Sequence, residues 1–409
     1  MTIPKKEKRN FFAFIWHAFW LALANTFAER NTVLPGLILF VGGSQIEVGV
    51  LTAITVGVPI VSQLAFAGYL SQKKNKKNFL LLGIYLRVGA FLGTVWTLTI
   101  ADSITSSVVI LLVFFWMLIF SVSGAFAGVS YSDILGKSIT GNTRKRFFVF
   151  RQLLSSFGVL ISAIIAREFL KGFEYPNNYI IMFSAASALL FIASFGFVAL
   201  KEKPTEKFRK EKNLVQVLKS IPKVLREDKR FKNFIYLINL IQLPLTLIPF
   251  IVVLSKDSLE LTKLTIGNFL FFQISGMIIS NLLWSKVVKK YSFKGVVKFL
   301  IGLEIIIPIL SLFAFYYGSL TFFYVIFVLV GFAMSAFKIS YEGIFLEITD
   351  ETNRAMYQGI SGSLNITVAF FPLISGVLIS FIGFSPIFIG VSILVAFAFM
   401  LPSKINCNE

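Results

Sequence analysis

The sequence predicts an all-α membrane protein: twelve transmembrane helices forming two six-helix bundles with pseudo-two-fold symmetry. Three observations predict it. The chain is too apolar to present a polar exterior to water, with a mean hydropathy of +0.81, 56% hydrophobic and 14% charged residues, where a soluble domain carries about 25% charged residues. Its apolar residues fall into twelve runs, each near the length of about 20 residues that a helix needs to cross the hydrocarbon core. A charged stretch, 201–232, divides these runs six and six.

The expected spans, in order, are 11–40, 46–70, 79–101, 107–131, 147–169, 178–200, 231–254, 264–288, 295–317, 320–346, 355–381 and 385–402. Several contain Pro or Gly, as membrane helices often do. The first follows Lys5, Lys6, Lys8 and Arg9 and passes through Ala22-Leu23-Ala24, which has the look of a secretory signal with its cleavage site. The apolar run resumes after Arg30 and has a counterpart later in the chain, which favours a span. The middle stretch holds twelve Lys or Arg against five Asp or Glu and has no apolar run long enough to cross. It reads as a cytoplasmic basic linker over 201–230, between an N-terminal bundle, 1–200, and a C-terminal bundle, 231–409.

Orientation follows from where Lys and Arg fall in the loops. With the N-terminus cytoplasmic, 31 of them lie inside and only Arg167, Lys171, Lys256 and Lys263 outside. Both termini are then cytoplasmic, in a multi-pass protein of the cell (inner) membrane. The formal net charge of +19 is distributed between apolar runs rather than on one face, so it anchors topology against anionic lipid headgroups and argues against nucleic acid as a partner. Cys407 is the only cysteine. No intrachain disulfide or cysteine metal cluster is possible, and Cys407 sits one residue too close to the end for prenylation.

The halves echo each other. Asn25 and Pro35 match Asn239 and Pro249 at a shift of 214, and Gly49 matches Gly267 at 218. Arg87 falls opposite Glu304 at 217, Ser130-Tyr131 opposite Ser340-Tyr341 and Arg144 opposite Arg354 at 210, and Leu160-Ile161-Ser162 opposite Leu373-Ile374-Ser375 at 213. Their order, at a spacing near half the chain, indicates duplication.

Six plus six spans, a basic seam and cytoplasmic termini resemble the major facilitator superfamily (MFS), across essentially the whole chain. Local motifs are degenerate. The family's loop after the second span has Gly, then Asp, then Arg or Lys. Here Gly68 and Lys73, Lys74, Lys76 and Lys77 remain and the Asp is absent, and the stretch 284–290 is equally reduced. Arg144-Lys-Arg-Phe-Phe-Val-Phe-Arg151 is similar to a basic pattern of some bacterial members. The resemblance implies two bundles rocking about a central site near the midplane.

Charge within hydrocarbon costs at least about 2.5–3.5 kcal/mol on insertion scales, so such residues pair or face a cavity. In the family the first, fourth, seventh and tenth spans line the cavity. That implies Asn25, Arg30, Tyr131, Asn239, Gln242, Lys338 and Tyr341 as substrate-binding residues, with Glu29 and Glu342 as proton carriers. Asn25 and Glu29 share a helix face. The two Asn could equally be helix–helix hydrogen bonds, and Lys338 with Glu342, four residues apart, an internal ion pair. Arg87 and Glu304, on the peripheral third and ninth spans, read as structural ion pairs. Gln63, Gln152, Gln273 and Asn365 read as bundle glue, and His17 as an interfacial side chain.

No cofactor is implied. Gly136-Lys137-Ser138 echoes the end of a phosphate loop, but Tyr131 stands where the earlier Gly is required. The expected function is secondary transport of a small solute by alternating access, coupled to protons, by a monomer whose other partners are membrane lipids. Drug or amphiphile efflux is the alternative, weakened by the lack of a Gly-Pro pair in the fifth span, at 155–160. A lipid-linked transferase would need acidic metal ligands or a histidine site. Asp133 is isolated in sequence, Asp350-Glu351 lies in a short loop, and there is one His. The chain reads as a transporter and not an enzyme, and its short outside loops give a scaffold or sensor little surface.

Overall fold

Helices make up nearly all of the computed structural model, which describes residues 5–71, 73–139, 141–204, 214–259, 261–349 and 354–405. Residues 205–213 of the linker, the Asp350-Glu351 pair and Cys407 lie outside the described residues. Among the described residues, ten helices are long and apolar enough to cross a membrane. One of them, 55 residues long, is two spans joined at a kink, where Ser292 adopts φ 59°. With that helix counted as two spans and the N-terminal helix occupying the first expected span, the architecture is compatible with twelve crossings.

The chain packs as two compact units. The first comprises Met1–Glu29, Phe40–Gly42 and Val61–Glu211. It contains α1 (Lys5–Phe27), α5 (Lys77–Thr99), α6 (Ser106–Ser138), α7 (Gly141–Gly172) and α8 (Asn177–Val198). Its core is aromatic: the ring of Phe14 lies edge-on to Tyr131 at 5.2 Å and to Phe197 at 5.3 Å. His17 is buried here, not interfacial as its position suggested. Its ring lies 4.1 Å from that of Phe197, with Nδ1 3.1 Å from the Ala193 carbonyl.

The loop between α4 (Val58–Ser71) and α5 is tied down by reciprocal capping. The Glu202 carboxylate accepts from the backbone N–H of Lys76 and Lys77 at 2.8–2.9 Å, at the start of α5. A carboxylate there satisfies orphan donors and complements the helix dipole. In return, Lys77 Nζ donates to the Val198 and Leu200 carbonyls at 2.7 and 2.9 Å, closing the end of α8. Asp133, isolated in sequence, is a second anion at this end in space: it pairs with Lys76 at 3.0 Å and with Lys137.

The second unit comprises Arg30–Leu39, Gly43–Ile60 and Lys212–Glu409. It contains α2 (Val33–Val41), α3 (Gln45–Thr52), a π turn (Ala53–Gly57), α10 (Lys229–Ser258), the kinked α11 (Lys263–Tyr317), α12 (Leu320–Ile348), α13 (Arg354–Leu364), α14 (Ile366–Ile382) and α15 (Phe384–Ala396). The linker also carries a helix, α9 (Leu214–Glu227), which the charge count alone did not suggest. Packing and chain order therefore part company at residues 30–60. A stretch from the N-terminal half of the sequence packs with helices of the C-terminal half. On α3, Gly49 makes this fit possible: a Cβ there would stand 2.7 Å from the Pro372 carbonyl of α14. Gly331 of α12 plays the same part against α11, where a Cβ would collide with the Gln273 carbonyl.

The first expected span, 11–40, is not one helix. It breaks at residues 28–32 into α1 and α2. Pro35 accounts for the break, because it has no N–H for the Asn31 carbonyl and its ring would clash with that carbonyl in a continuing helix. In the first turn of a new helix it costs nothing, since those N–H groups have no partner there. The new helix begins with the Gly36 N–H donating to the Thr32 carbonyl at 2.9 Å.

Candidate functional site

A cavity of about 340 Å³ lies within the second unit, at the small end of ligand pockets. It gathers side chains from several places. The unwound stretch before α2 gives Arg30 and Asn31, and the segment of α3 and the π turn gives Thr52 and Val56. From α10 come Gln242, Leu245, Thr246 and Ile248; from α11, Met277; from α14, Val368. The largest share comes from α12: Met334, Phe337, Lys338, Tyr341 and Glu342. These are spaced i, i+3, i+4, i+7, i+8, one face of a helix.

Of the expected site residues, the cavity brings together Arg30, Gln242, Lys338, Tyr341 and Glu342. The helix break explains how Arg30 arrives, since an unwound segment frees the chain from helical register beside the cavity, where irregular backbone is tolerated. The Lys338 and Glu342 side chains, four residues apart, form no ion pair with each other, and neither Lys338 nor Arg30 forms one with any described residue. Gln242 and Asn365 hold each other in a reciprocal amide pair, both hydrogen bonds 3.1 Å, which fixes the orientation of the Gln242 head group. Tyr341 is packed into a row of rings, 5.9 Å from Phe337 and 6.0 Å from Phe345.

The remaining candidates sit elsewhere. Asn239 donates to the Ile235 carbonyl at 2.9 Å and accepts from Thr367 Oγ1, so both ends of its amide are engaged, the second in joining α10 to α14. Asn25, in the first unit, accepts from the Arg87 guanidinium at 3.3 Å. Glu29 is half-buried in the first unit, just beyond the end of α1. Tyr131 belongs to the aromatic core around Phe14. The expected ion pairs of Arg87 and Glu304 do not form among the described residues. Arg87 instead lies over the Phe120 ring at 4.2 Å and bonds Asn25. Glu304 is 1% exposed, and neither carboxylate oxygen has a hydrogen-bond partner among the described residues.

Asn31, Thr52, Met277, Met334 and Phe337 escaped the sequence reading. For α12 the signal was present: extending the face of Lys338 and Tyr341 by one turn reaches Met334 and Phe337. For Asn31 the signal was Pro35, which marks where the helix must stop.

Residues 236–404 match the model of the family described as the Major Facilitator Superfamily. Solved transporter structures align with nearly the whole chain. The chain has the major facilitator superfamily fold. A POT family transporter in complex with 5-aminolevulinic acid superimposes with a TM-score of 0.73 at 14% identity, covering 99% of each chain. A bacterial homologue of the iron transporter ferroportin, inward-facing, gives 0.72 at 13%, covering 97% of this chain and 98% of its own. The nucleoside transporter NupG gives 0.62 at 16%, covering 98% of this chain and 100% of its own. No curated protein sequence matches the chain. The chain is thus a multi-pass membrane protein whose structural neighbours are transporters.

Proposed function

We propose that this MFS protein is a secondary transporter that carries a small solute across the cell membrane by alternating access, with proton movement coupled to the cycle. The observation that carries the reading is the cavity itself. Arg30, Lys338 and Glu342 line a pocket among membrane-spanning helices. Ionisable groups at such depth mark substrate or ion pathways. In this reading the sequence halves, 1–200 and 231–409, rock about the site, both termini face the cytoplasm, and a single copy suffices. Glu342 is the first candidate for the coupled proton, because it lines the cavity beside the groups that would hold the solute; Glu29 is the second.

The test is reconstitution of the full chain in liposomes loaded with a pH-sensitive dye, exposed to a panel of sugars, organic anions and drugs. Solute-dependent proton movement is expected, and it should vanish in Glu342→Gln while downhill solute flux remains. Proton movement unchanged in both Glu342→Gln and Glu29→Gln would remove the coupling assignment. Efflux of an amphiphile remains the second reading, favoured by Met277 and Met334 in the wall. Methionines adapt to ligands of varied shape.

A further inference from the structure

We infer that the solute is a small organic anion with an apolar body: one carboxylate or similar oxyanion on a compact hydrocarbon or aromatic frame. This rests on the transporter reading and narrows it to a substrate class. The charge balance of the cavity leads. Two cations, Arg30 and Lys338, face one carboxylate, Glu342. The wall is net positive when Glu342 is ionised and more so when it is protonated, so the sign does not depend on the state of the proton carrier. Neither cation is neutralised within the protein: neither forms an ion pair with a described residue. Arg30, Lys338 and Glu342 are exposed at the cavity wall rather than packed into the protein, so both cations can meet a solute's opposite charge, and a bound anion supplies it.

The geometry adds a second argument. The two cations come from different elements. Arg30 stands on the unwound stretch that leads into α2, and Lys338 stands on the α12 face. A guanidinium presents a planar fork suited to a carboxylate, and an ammonium adds a point charge. The start of α2 lies three residues beyond Arg30, so its dipole favours the same sign of charge. By surface the rest of the lining is largely apolar, and most of its polar side chains are already engaged: Thr52 and Thr246 donate to the Val48 and Leu243 carbonyls, Gln242 is paired with Asn365, and Asn31 donates to Met334 Sδ. Such a wall favours a frame without many hydroxyls, and it gives a sugar few partners for the groups it would desolvate. At about 340 Å³, the space suits a single compact molecule.

Three probes of one shape and different charge separate the possibilities: phenylacetate, phenylacetamide and phenethylammonium. Each is titrated against the purified full chain in detergent, read by thermal shift and by equilibrium binding. Phenylacetate is expected to bind tightest and to raise Tm most. Arg30→Gln and Lys338→Gln should each weaken it by roughly tenfold or more, the loss expected for a hydrogen bond to a charged group, and Lys338→Arg should retain it. Equal or tighter binding of the amide or the ammonium probe, or no binding of phenylacetate, overturns the inference from the wild-type chain alone, without any variant having to fold. Phenylacetate affinity unchanged in both Gln variants overturns it too. A cavity that prefers phenethylammonium yet exchanges it across liposomes sinks the anion class and leaves the transporter reading standing. Tight phenylacetate binding with no flux of any solute does the reverse.

Discussion

At the scale of single residues, the molecule treats its intramembrane charges in two ways. Arg87 is absorbed into structure by an amide oxygen and an aromatic face. Arg30, Lys338 and Glu342 are kept at a cavity wall. Glu304 fits neither pattern: it is buried, away from the cavity lining, and its oxygens have no hydrogen-bond partner among the described residues. A buried carboxyl without a partner costs stability that an apolar side chain of similar length recovers. Glu304→Met should therefore raise thermal stability in detergent, by about 1–3 kcal/mol, the cost of burying a polar group without a hydrogen bond, and leave solute flux intact. A fall in Tm would show that the carboxyl is satisfied in the folded protein. The residues themselves were legible in the sequence because ionisable groups are rare in apolar runs. Their partners were not. The spacing of Lys338 and Glu342 permits a pair and does not require one, and Arg87 and Glu304, matched through the repeat, have dissimilar surroundings. Asn239 shows the same limit. Its place on the seventh span was readable, but Thr367, its partner, comes from a helix more than a hundred residues away.

At the scale of elements, most helices follow from the apolar runs, and their deviations have local causes. The clearest contrast is Pro35 with its repeat-related Pro249. The first ends α1's continuation and starts α2, whereas the second sits inside an unbroken α10. The polar run Glu29-Arg30-Asn31-Thr32 before Pro35 makes the difference, because Arg30 and Asn31 and the freed backbone groups do better at a cavity than in a lipid-facing helix. Before Pro249 the chain reads Leu245-Thr246-Leu247-Ile248, which packs well enough to hold the helix through the lost hydrogen bond. The reciprocal caps between α5 and α8 are a second local device, and one with a measurable consequence. Glu202→Ala removes the carboxylate from the N–H groups of Lys76 and Lys77 and should cost about 0.5–2 kcal/mol, the range for losing a helix N-cap, read as a lower Tm. An unchanged Tm would mean that water replaces the cap at no cost. Nothing in the sequence pointed to Glu202, which lies in the charged seam among eight other charged residues between 201 and 212 and gains its role only when α8 returns beside α5.

At the scale of the whole molecule, the fold class was readable from hydropathy and the charged seam that divides the apolar runs, since span length follows from the bilayer rather than from details of packing. The packing unit that holds the cavity was not. Residues 30–60 belong to the first half by sequence and, for the most part, to the second unit by packing, because Gly49 lets α3 approach α14 at backbone distance. The cavity exists on account of that exchange, with Arg30, Asn31, Thr52 and Val56 completing a wall otherwise built by α10, α11, α12 and α14. In the alternating access proposed above, a wall drawn from both sequence halves would open and close as one half moves against the other. The most direct test of this account is solute counterflow in liposomes, comparing the wild-type chain with the Arg30→Gln, Lys338→Gln double variant reconstituted at equal density. The account predicts exchange by the wild-type chain and a loss of most of it in the double variant, with the variant still folded by thermal unfolding. Equal exchange by both proteins would place the solute's path outside this cavity and contradict the account.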